Sequence, residues 1–329
     1  MSKKTYMALL ILSIVMALTL SFIIPSGALL DEERYKLEDE IWAQEDDLLS
    51  WLIPSANAEE LLKPLPIDFS PGKKPIQENF TDEGYSDPSI RLTLETREED
   101  GVVWRIAYIQ VASPTQLRTA TAGDLRSSRV ALISSMAEKY NAVIACNANY
   151  MANDPKKTSF EYRMGEKARN KFNRLKDTLI IDENGDFHIL TGEDKTEQLE
   201  AFENAGHTII NAFTFGPALV KDEQLQTIPE KYGYNPDGRE PRLALGQLDS
   251  LKYVIVHAEG RRDNSDGATQ QELADFMFNL GCKQAFNFDG GNSATIVYNG
   301  GYFQNRSRSN ERAQSDMIYF ASLVENEDN

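Results

Sequence analysis

The chain has 329 residues, 41% of them hydrophobic and 9% aromatic, enough to build a sizeable core in one large domain or two ordinary ones. Its formal net charge of −17 argues against nucleic acid as a partner, because such binders carry basic patches to meet phosphates. Two cysteines (Cys146, Cys282) and three histidines (His188, His207, His257) fit no zinc motif by spacing. Cys146 sits in the apolar run AVIACNA, which reads as a buried small residue and not as a catalytic thiol; whether it pairs with Cys282 stays open.

In chain order, Lys3 and Lys4 precede the uncharged run 6–24, nineteen residues, long enough to span a bilayer core as a helix. This predicts an uncleaved signal-anchor over 1–30, single-pass, with the lysines inside and the remainder outside the cytoplasmic membrane. The alternative is a cleaved signal peptide, for which Ser26 and Ala28 supply the small-residue pair. Residues 31–60 hold eleven acids against two bases, over half of the net charge, and read as an acidic, helix-prone stalk, either a solvated spacer or a docking surface for a protein partner. Pro64, Pro66, Pro71, Pro75 and Pro88 then mark an extended linker, so that stalk and linker together cover 31–85.

Over 86–329 the pattern becomes globular. IRLTLETREEDGVVWRIAYIQV predicts two strands around the Asp100-Gly101 turn, and TLIIDENGDFHIL a second hairpin at Asn184-Gly185. SSRVALISSMAEKY, KTEQLEAFENAG and TQQELADFMFNLG have helical spacing, the second closed by Gly206 and the third by Gly281. Strand-like runs lie between them, which predicts a mixed α/β (α+β) class: a single large mixed-sheet domain with interleaved helices. Asp182, Asn184, Asp186 and Glu193 fall on calcium-loop positions, but Phe187 stands where the loop requires glycine, and a hairpin turn accounts for the residues.

The richest region is 255–312. Thr269 and Glu272 form a capping box at a helix start, a complete structural account of Glu272. The same helix start, preceded by Gly267 and by Arg261 and Arg262, also suits an anion. The helix feeds a strand ending at Asp289, and AFNFDGGNSATIVYNG reads two ways. Asp-Gly between apolar runs is a hairpin signal; Gly290, Gly291, Asn292 and Ser293 make a longer loop in which a ligand can approach the backbone closely. Ser293 has neither a nucleophile-elbow sequence nor an evident histidine partner, so it reads as a hydrogen-bonding residue.

These segments, in order, resemble the phosphodiester glycosidase family, the bacterial relatives of the lysosomal uncovering enzyme. FNFDGGNSATIVYNG is similar to the family's Leu-Asp-Gly-Gly-Gly-Ser segment, EGRRDNSDGATQQELADFMFNLG to its Asp-Gly-Arg and Glu-Leu-Ala helix, RLALGQ to its Arg-x-Ala-Ile-Gly strand, FTFGPALVKDE to its Phe-Gly-Pro turn, and NERAQSDMIYF to its closing Glu-Arg element. The likeness covers about residues 90–325. Four positions depart from it: NANYM puts Ala148 and Asn149 in place of two glycines, Glu259 stands for Asp, and Asn292 for a third glycine.

The resemblance implies an extracytoplasmic hydrolase that cleaves a sugar-1-phosphodiester in an envelope or capsular glycan. Asp289 is expected as nucleophile or general base, with Glu272 as second carboxylate. Arg242, Arg261 and Arg312 are expected to hold the phosphate, with Thr269, Gly290, Gly291 and Ser293 adding donors and Asn147 orienting the sugar. No cofactor is required, though a divalent cation such as calcium or magnesium could bridge Asp289 and phosphate. The alternative is a membrane-tethered, non-catalytic module that binds phosphate-containing envelope polysaccharide; a partner-docking scaffold built on the stalk is a third reading.

Overall fold

The computed structural model describes residues 70–149, 158–306 and 310–324, all within one compact unit, 61–329. The expected membrane-spanning run 6–24 and the acidic stalk lie outside the described residues. Among the described residues no helix is long and apolar enough to cross a membrane.

Three sheets meet around a common core. The largest has nine strands in the spatial order Phe80–Thr81, Gly84–Asp87, Ile90–Glu99, Val102–Val111, Lys252–Ala258, Arg242–Asp249, Gln284–Phe288, Ala218–Lys221 and Gln224–Leu225. The second orders Phe187–Leu190, Asp177–Asp182, Ile209–Phe215, Phe160–Arg163 and Glu166–Asn170. The third orders Gly301–Tyr302, Ile296–Tyr298, Ala142–Asn147, Asp316–Ala321 and Leu117–Thr121. The combination of strands and interleaved helices agrees with the class expected from sequence. The expected mixed sheet is corrected, since every ladder between these strands is antiparallel.

Side-chain alternation builds the layers. Leu243, Leu245, Phe286 and Phe288 point from the large sheet into the common core, where they meet Leu179, Ile181 and Phe213 of the second sheet and Ile144, Ile318 and Phe320 of the third. The opposite face of each sheet carries one helix: Gln270–Asn279 on the first, Lys195–Asn204 on the second and Ile133–Lys139 on the third. Strands covered on both faces are apolar over most of their length, which is why RLALGQL and YVIVHA show no regular polar alternation. The helix side of the large sheet uses small residues, Ala244, Ala258 and Ala285. A Cβ on Gly246 would come within 2.6 Å of Cys282 Sγ and 2.7 Å of Met277 Cε. Cys146 and Cys282 are unpaired and buried in different parts of the core, and burial pushes the Cys282 thiol up to about 12.

Both predicted hairpins form. Asp100 and Gly101 have φ of 52° and 75° between strands that end at Glu99 and begin at Val102, a two-residue turn matched to strand twist. At the second, Asp182 Oδ1 accepts the N–H groups of Asn184 and Asp186 at 2.8 and 2.9 Å, so this carboxylate builds the turn. The Asp-Gly-Gly stretch, by contrast, is no hairpin. The strand before it belongs to the large sheet and the strand after it to the third, so the loop crosses between layers.

The linker boundary also moves. From Gly72 on, the proline-containing stretch is part of the body: Gly72 N–H donates to Tyr140 O at 3.0 Å, and Lys73 bridges Ser322. Tyr85 is 1% exposed; its hydroxyl donates to Asp87 Oδ2 at 2.8 Å and accepts from Ile76 N–H at 3.2 Å. Tyr85→Ala should therefore lower the unfolding free energy by about 3 kcal/mol in urea titration; a loss below about 1 kcal/mol would place residues 72–87 outside the cooperative unit.

His257 is fully enclosed in the large sheet. Burial, reinforced by the Arg306 and Arg105 charges, lowers its imidazole from 6.5 to about 3. The unfolded chain therefore binds more protons than the folded chain between those values, and stability falls as pH drops through that window. Stability measured between about pH 6 and pH 4 should fall less steeply in His257→Asn than in the parent; an unchanged slope would remove His257 from the acid response.

Candidate active site

Asp289 follows directly on the Gln284–Phe288 strand, and its main chain is fixed from two sides. Asn147 Nδ2 donates to Asp289 O at 2.8 Å. Gly291 N–H donates to Pro241 O at 2.7 Å, and a Cβ on Gly290 would stand 2.6 Å from that same oxygen. Glycine is required at 290 by this close approach, and Gly291 has a φ of +58°.

The approach brings Asp289 against residues 240–242. Together Asp289, Gly290, Gly291, Glu240, Arg242 and Arg261 border a cavity of about 130 Å³, which Phe215, Tyr234, Asn235, Asn287 and Phe288 complete. Glu240 reaches it because its backbone is pressed between glycine-bearing loops. It pairs with Ala268 through two hydrogen bonds of 3.2 and 3.0 Å, and a Cβ on Gly267 would lie 2.6 Å from Glu240 C.

The two arginines differ. Arg242 is buried, and its guanidinium donates to four carbonyls: Ala268 at 2.9 Å, Tyr234 at 3.0 Å, Asn235 at 2.7 Å and Gly238 at 2.8 Å. Burial, with the Arg261 charge adding to it, lowers its pKa to about 10, still charged at neutral pH. Its main task is to anchor the 234–238 loop. Arg261, with φ +58°, borders the cavity with its side chain 43% exposed. Its Nε donates to Glu240 Oε2 at 2.6 Å and its Nη1 to Asn292 Oδ1 at 3.3 Å. An anion entering the cavity meets Arg261 first and competes with Glu240 for it.

Other residues expected at the site do other work. Glu272 is not in the cavity. Its Oε2 accepts Thr269 N–H at 2.8 Å, and its Oε1 pairs with Arg239, so the expected second-carboxylate role does not fit its position. Thr269 Oγ1 accepts Glu272 N–H at 3.1 Å and completes the capping box. Gln270 N–H goes to Pro236 O at 2.9 Å, so the helix start is committed to protein groups and not to an anion. Asn147, fully buried, gives its amide to the carbonyls of Asp289 and Ala148 and accepts Thr295 N–H at 2.9 Å; it positions the Asp289 loop instead of a sugar. Arg312 does not border the cavity; its Nη1 donates to buried Ser293 Oγ at 3.1 Å, beyond the Asp289 turn.

Two of the sequence departures find partners. Asn149 Nδ2 donates to both carboxylate oxygens of buried Glu161 at 2.9 and 3.0 Å, while its Oδ1 accepts from Arg163, which also pairs with Asp316. Glu259 turns away from the cavity to Arg105 Nε at 2.7 Å.

Glu240 and Tyr234 are the contributors that motif reading passed over. Glu240 stands two residues before Arg242 at the edge of a recognised strand. Tyr234 lies in the turn-rich YGYNPDG, where a φ of +60° aims it at the site. Its ring stacks on Phe215 at 4.4 Å with Lys176 Nζ 3.8 Å from its centroid, and burial together with the Asp289 charge pushes its phenol up.

Comparison with known proteins agrees with this picture. Residues 140–321 match the family model described as phosphodiester glycosidase. A SPbeta prophage-derived uncharacterized protein, YomE, of Bacillus subtilis (strain 168) is 34% identical over 108 residues, covering 33% of this chain. The match spans only 17% of that curated relative. Among solved structures, the zebrafish N-acetylglucosamine-1-phosphodiester alpha-N-acetylglucosaminidase (NAGPA) catalytic domain, auto-inhibited by its pro-peptide, superposes with a TM-score of 0.55 at 16% identity, over 76% of this chain and 87% of that one. A hypothetical protein from Synechocystis gives 0.50 at 14% identity, over 70% and 62%. These likenesses establish a shared fold, and with more than half of its residues matched to the family model, the chain belongs to the phosphodiester glycosidase family.

Proposed function

We propose that the protein hydrolyses a sugar-1-phosphodiester, with the reaction centred on Asp289. The observation that carries this reading is the convergence of Asp289, Glu240 and Arg261 on one cavity of about 130 Å³. Cleavage at an anomeric carbon passes through an oxocarbenium-like state that a carboxylate stabilises. The departing phosphate monoester has a second pKa of about 6, so leaving-group protonation is less demanding than for an alkoxide. The site then needs one carboxylate at the sugar and one cation at the phosphate. Asp289 acts as nucleophile or as the base that activates water. Arg261 takes the phosphate, and Glu240 orients Arg261 until substrate displaces it. Tyr234 contributes an edge beside Asp289 for a sugar hydroxyl. The uncharged run 6–24 supports an anchored, extracytoplasmic setting, with envelope or capsular glycan as the substrate.

The test is incubation of the full chain with N-acetylglucosamine-1-phospho-sugar diesters and with phosphate-containing envelope glycans, with and without added calcium or magnesium. Release of the sugar and of a phosphate monoester is expected. If no diester is cleaved under any condition while glycan still binds, the non-catalytic reading replaces this one. Asp289→Asn should lower kcat by roughly 10²- to 10⁴-fold. Arg261→Ala should reduce kcat/KM through both KM and kcat. Glu272→Gln, which keeps a side chain suited to the capping box, should stay within about threefold of the parent. Full activity in Asp289→Asn would reassign the carboxylate role.

A further inference from the structure

We propose that Asp182, His188 and His207 form a binding site for a divalent transition-metal ion of the zinc type, remote from the catalytic cavity. Among the described residues these are the side chains whose ligand atoms gather as a metal-binding trio, all within 4.8 Å of one another. They come from three neighbouring places in the second sheet. Asp182 ends the Asp177–Asp182 strand, His188 is the second residue of Phe187–Leu190, and His207 precedes Ile209–Phe215 just after the Gly206 helix stop. Asp182 and His188 share one hairpin while His207 follows the next helix, which is why histidine spacing in the sequence showed nothing.

The geometry is that of a ligand set. His188 Nε2 and His207 Nδ1 each lie 3.0 Å from the same oxygen, Asp182 Oδ2. Ligand atoms about 2.1 Å from a tetrahedral ion stand roughly 3.4 Å from one another. His207 Nδ1 is shielded from solvent and has no hydrogen-bond partner among the described residues, despite its distance from the carboxylate. A ring nitrogen and a carboxylate oxygen placed side by side in this way can both turn lone pairs to a cation seated beside them. The outer contacts orient the set. Asp182 Oδ1 is held by the Asn184 and Asp186 N–H groups, which presents Oδ2 to the rings. Phe202 meets His188 edge-on at 4.9 Å and stacks on His207 at 5.2 Å. Both histidines are about one-third exposed and Asp182 is enclosed, leaving an outer position for water, while Glu183 Oε1 stands 3.5 Å from His207 Nδ1.

Two imidazoles and one carboxylate favour zinc, cobalt or nickel over calcium and magnesium, which prefer all-oxygen shells. The ion would fasten the end of the Lys195–Asn204 helix to the 182–188 hairpin. That hairpin reaches the large sheet through Gln247 Nε2, which donates to Asp186 Oδ1 at 2.7 Å, and the Tyr253 hydroxyl, which donates to Gly185 O at 2.9 Å. The site would be a structural staple within the second sheet, at a hairpin that the large sheet already holds.

Equilibrium dialysis of the full chain against Zn2+, followed by thermal unfolding, tests this. The expected result is about one zinc held per chain through this site, with Tm rising by roughly 5–10 °C at a zinc concentration about a hundred times Kd. Ca2+ should leave Tm unchanged, and Co2+ should bind with the visible absorption of a tetrahedral nitrogen–oxygen site. His188→Asn and His207→Asn, made separately so that one folded variant suffices, should each abolish the zinc-dependent rise. Equal stabilisation by Ca2+, or a zinc response that survives in a folded variant, overturns the proposal. So does a parent Tm that responds to pH but not to zinc, which would mark a plain histidine–carboxylate pair.

Discussion

The site depends on how closely three loops approach residues 240–241. Pro241 O accepts the Gly291 N–H at 2.7 Å, and Cβ atoms placed on Gly260, Gly267 or Gly290 would come within 2.6–2.7 Å of neighbouring backbone. Without side chains at these glycines, the backbones of the Asp289 loop, the Arg261 loop and the Glu240 segment share one small volume. The groups that border the cavity meet because main chains touch; the side chains follow.

That constraint explains what could be read from the sequence. The glycine-rich turn after Asp289, the arginines upstream and the capping box at Thr269 are local patterns, and each appears where its pattern placed it. The capping account of Glu272 and the catalytic account competed for the same oxygens, and the geometry gives both to the cap and to Arg239. Glu240 carries no motif of its own. Its place is set by Ala268 and Gly267, nearly thirty residues later, a pairing that hydropathy cannot report. Asn147 was visible as a polar residue ending an apolar strand, but its partner, the Asp289 carbonyl, is 142 positions away.

The same distinction holds for the fold. Both tight hairpins follow from two or three residues of turn chemistry. The division into three sheets does not, because the apolar runs before and after Asp289 look like hairpin partners until their ladders are assigned. The Glu-Arg element shows this at its sharpest: Glu311 Oε2 accepts the hydroxyl of Ser134, 177 residues earlier in the first turn of a helix, at 2.7 Å, while Arg312 turns to Ser293.

The position of the Asp316–Ala321 strand has a consequence for biosynthesis. It pairs with Ala142–Asn147 on one side and Leu117–Thr121 on the other, so Leu117–Thr121 joins the rest of the third sheet only once residues 316–321 have been made. Until then both neighbours present unpaired edges and Ile144 has no cover from Ile318 or Phe320. A polypeptide interrupted shortly after Asp289 would hold most of the residues that border the cavity and yet lack the strand that joins Leu117–Thr121 to its layer. The emergence of the Asp316–Ala321 strand, and not the appearance of Asp289, is the event that closes the third sheet.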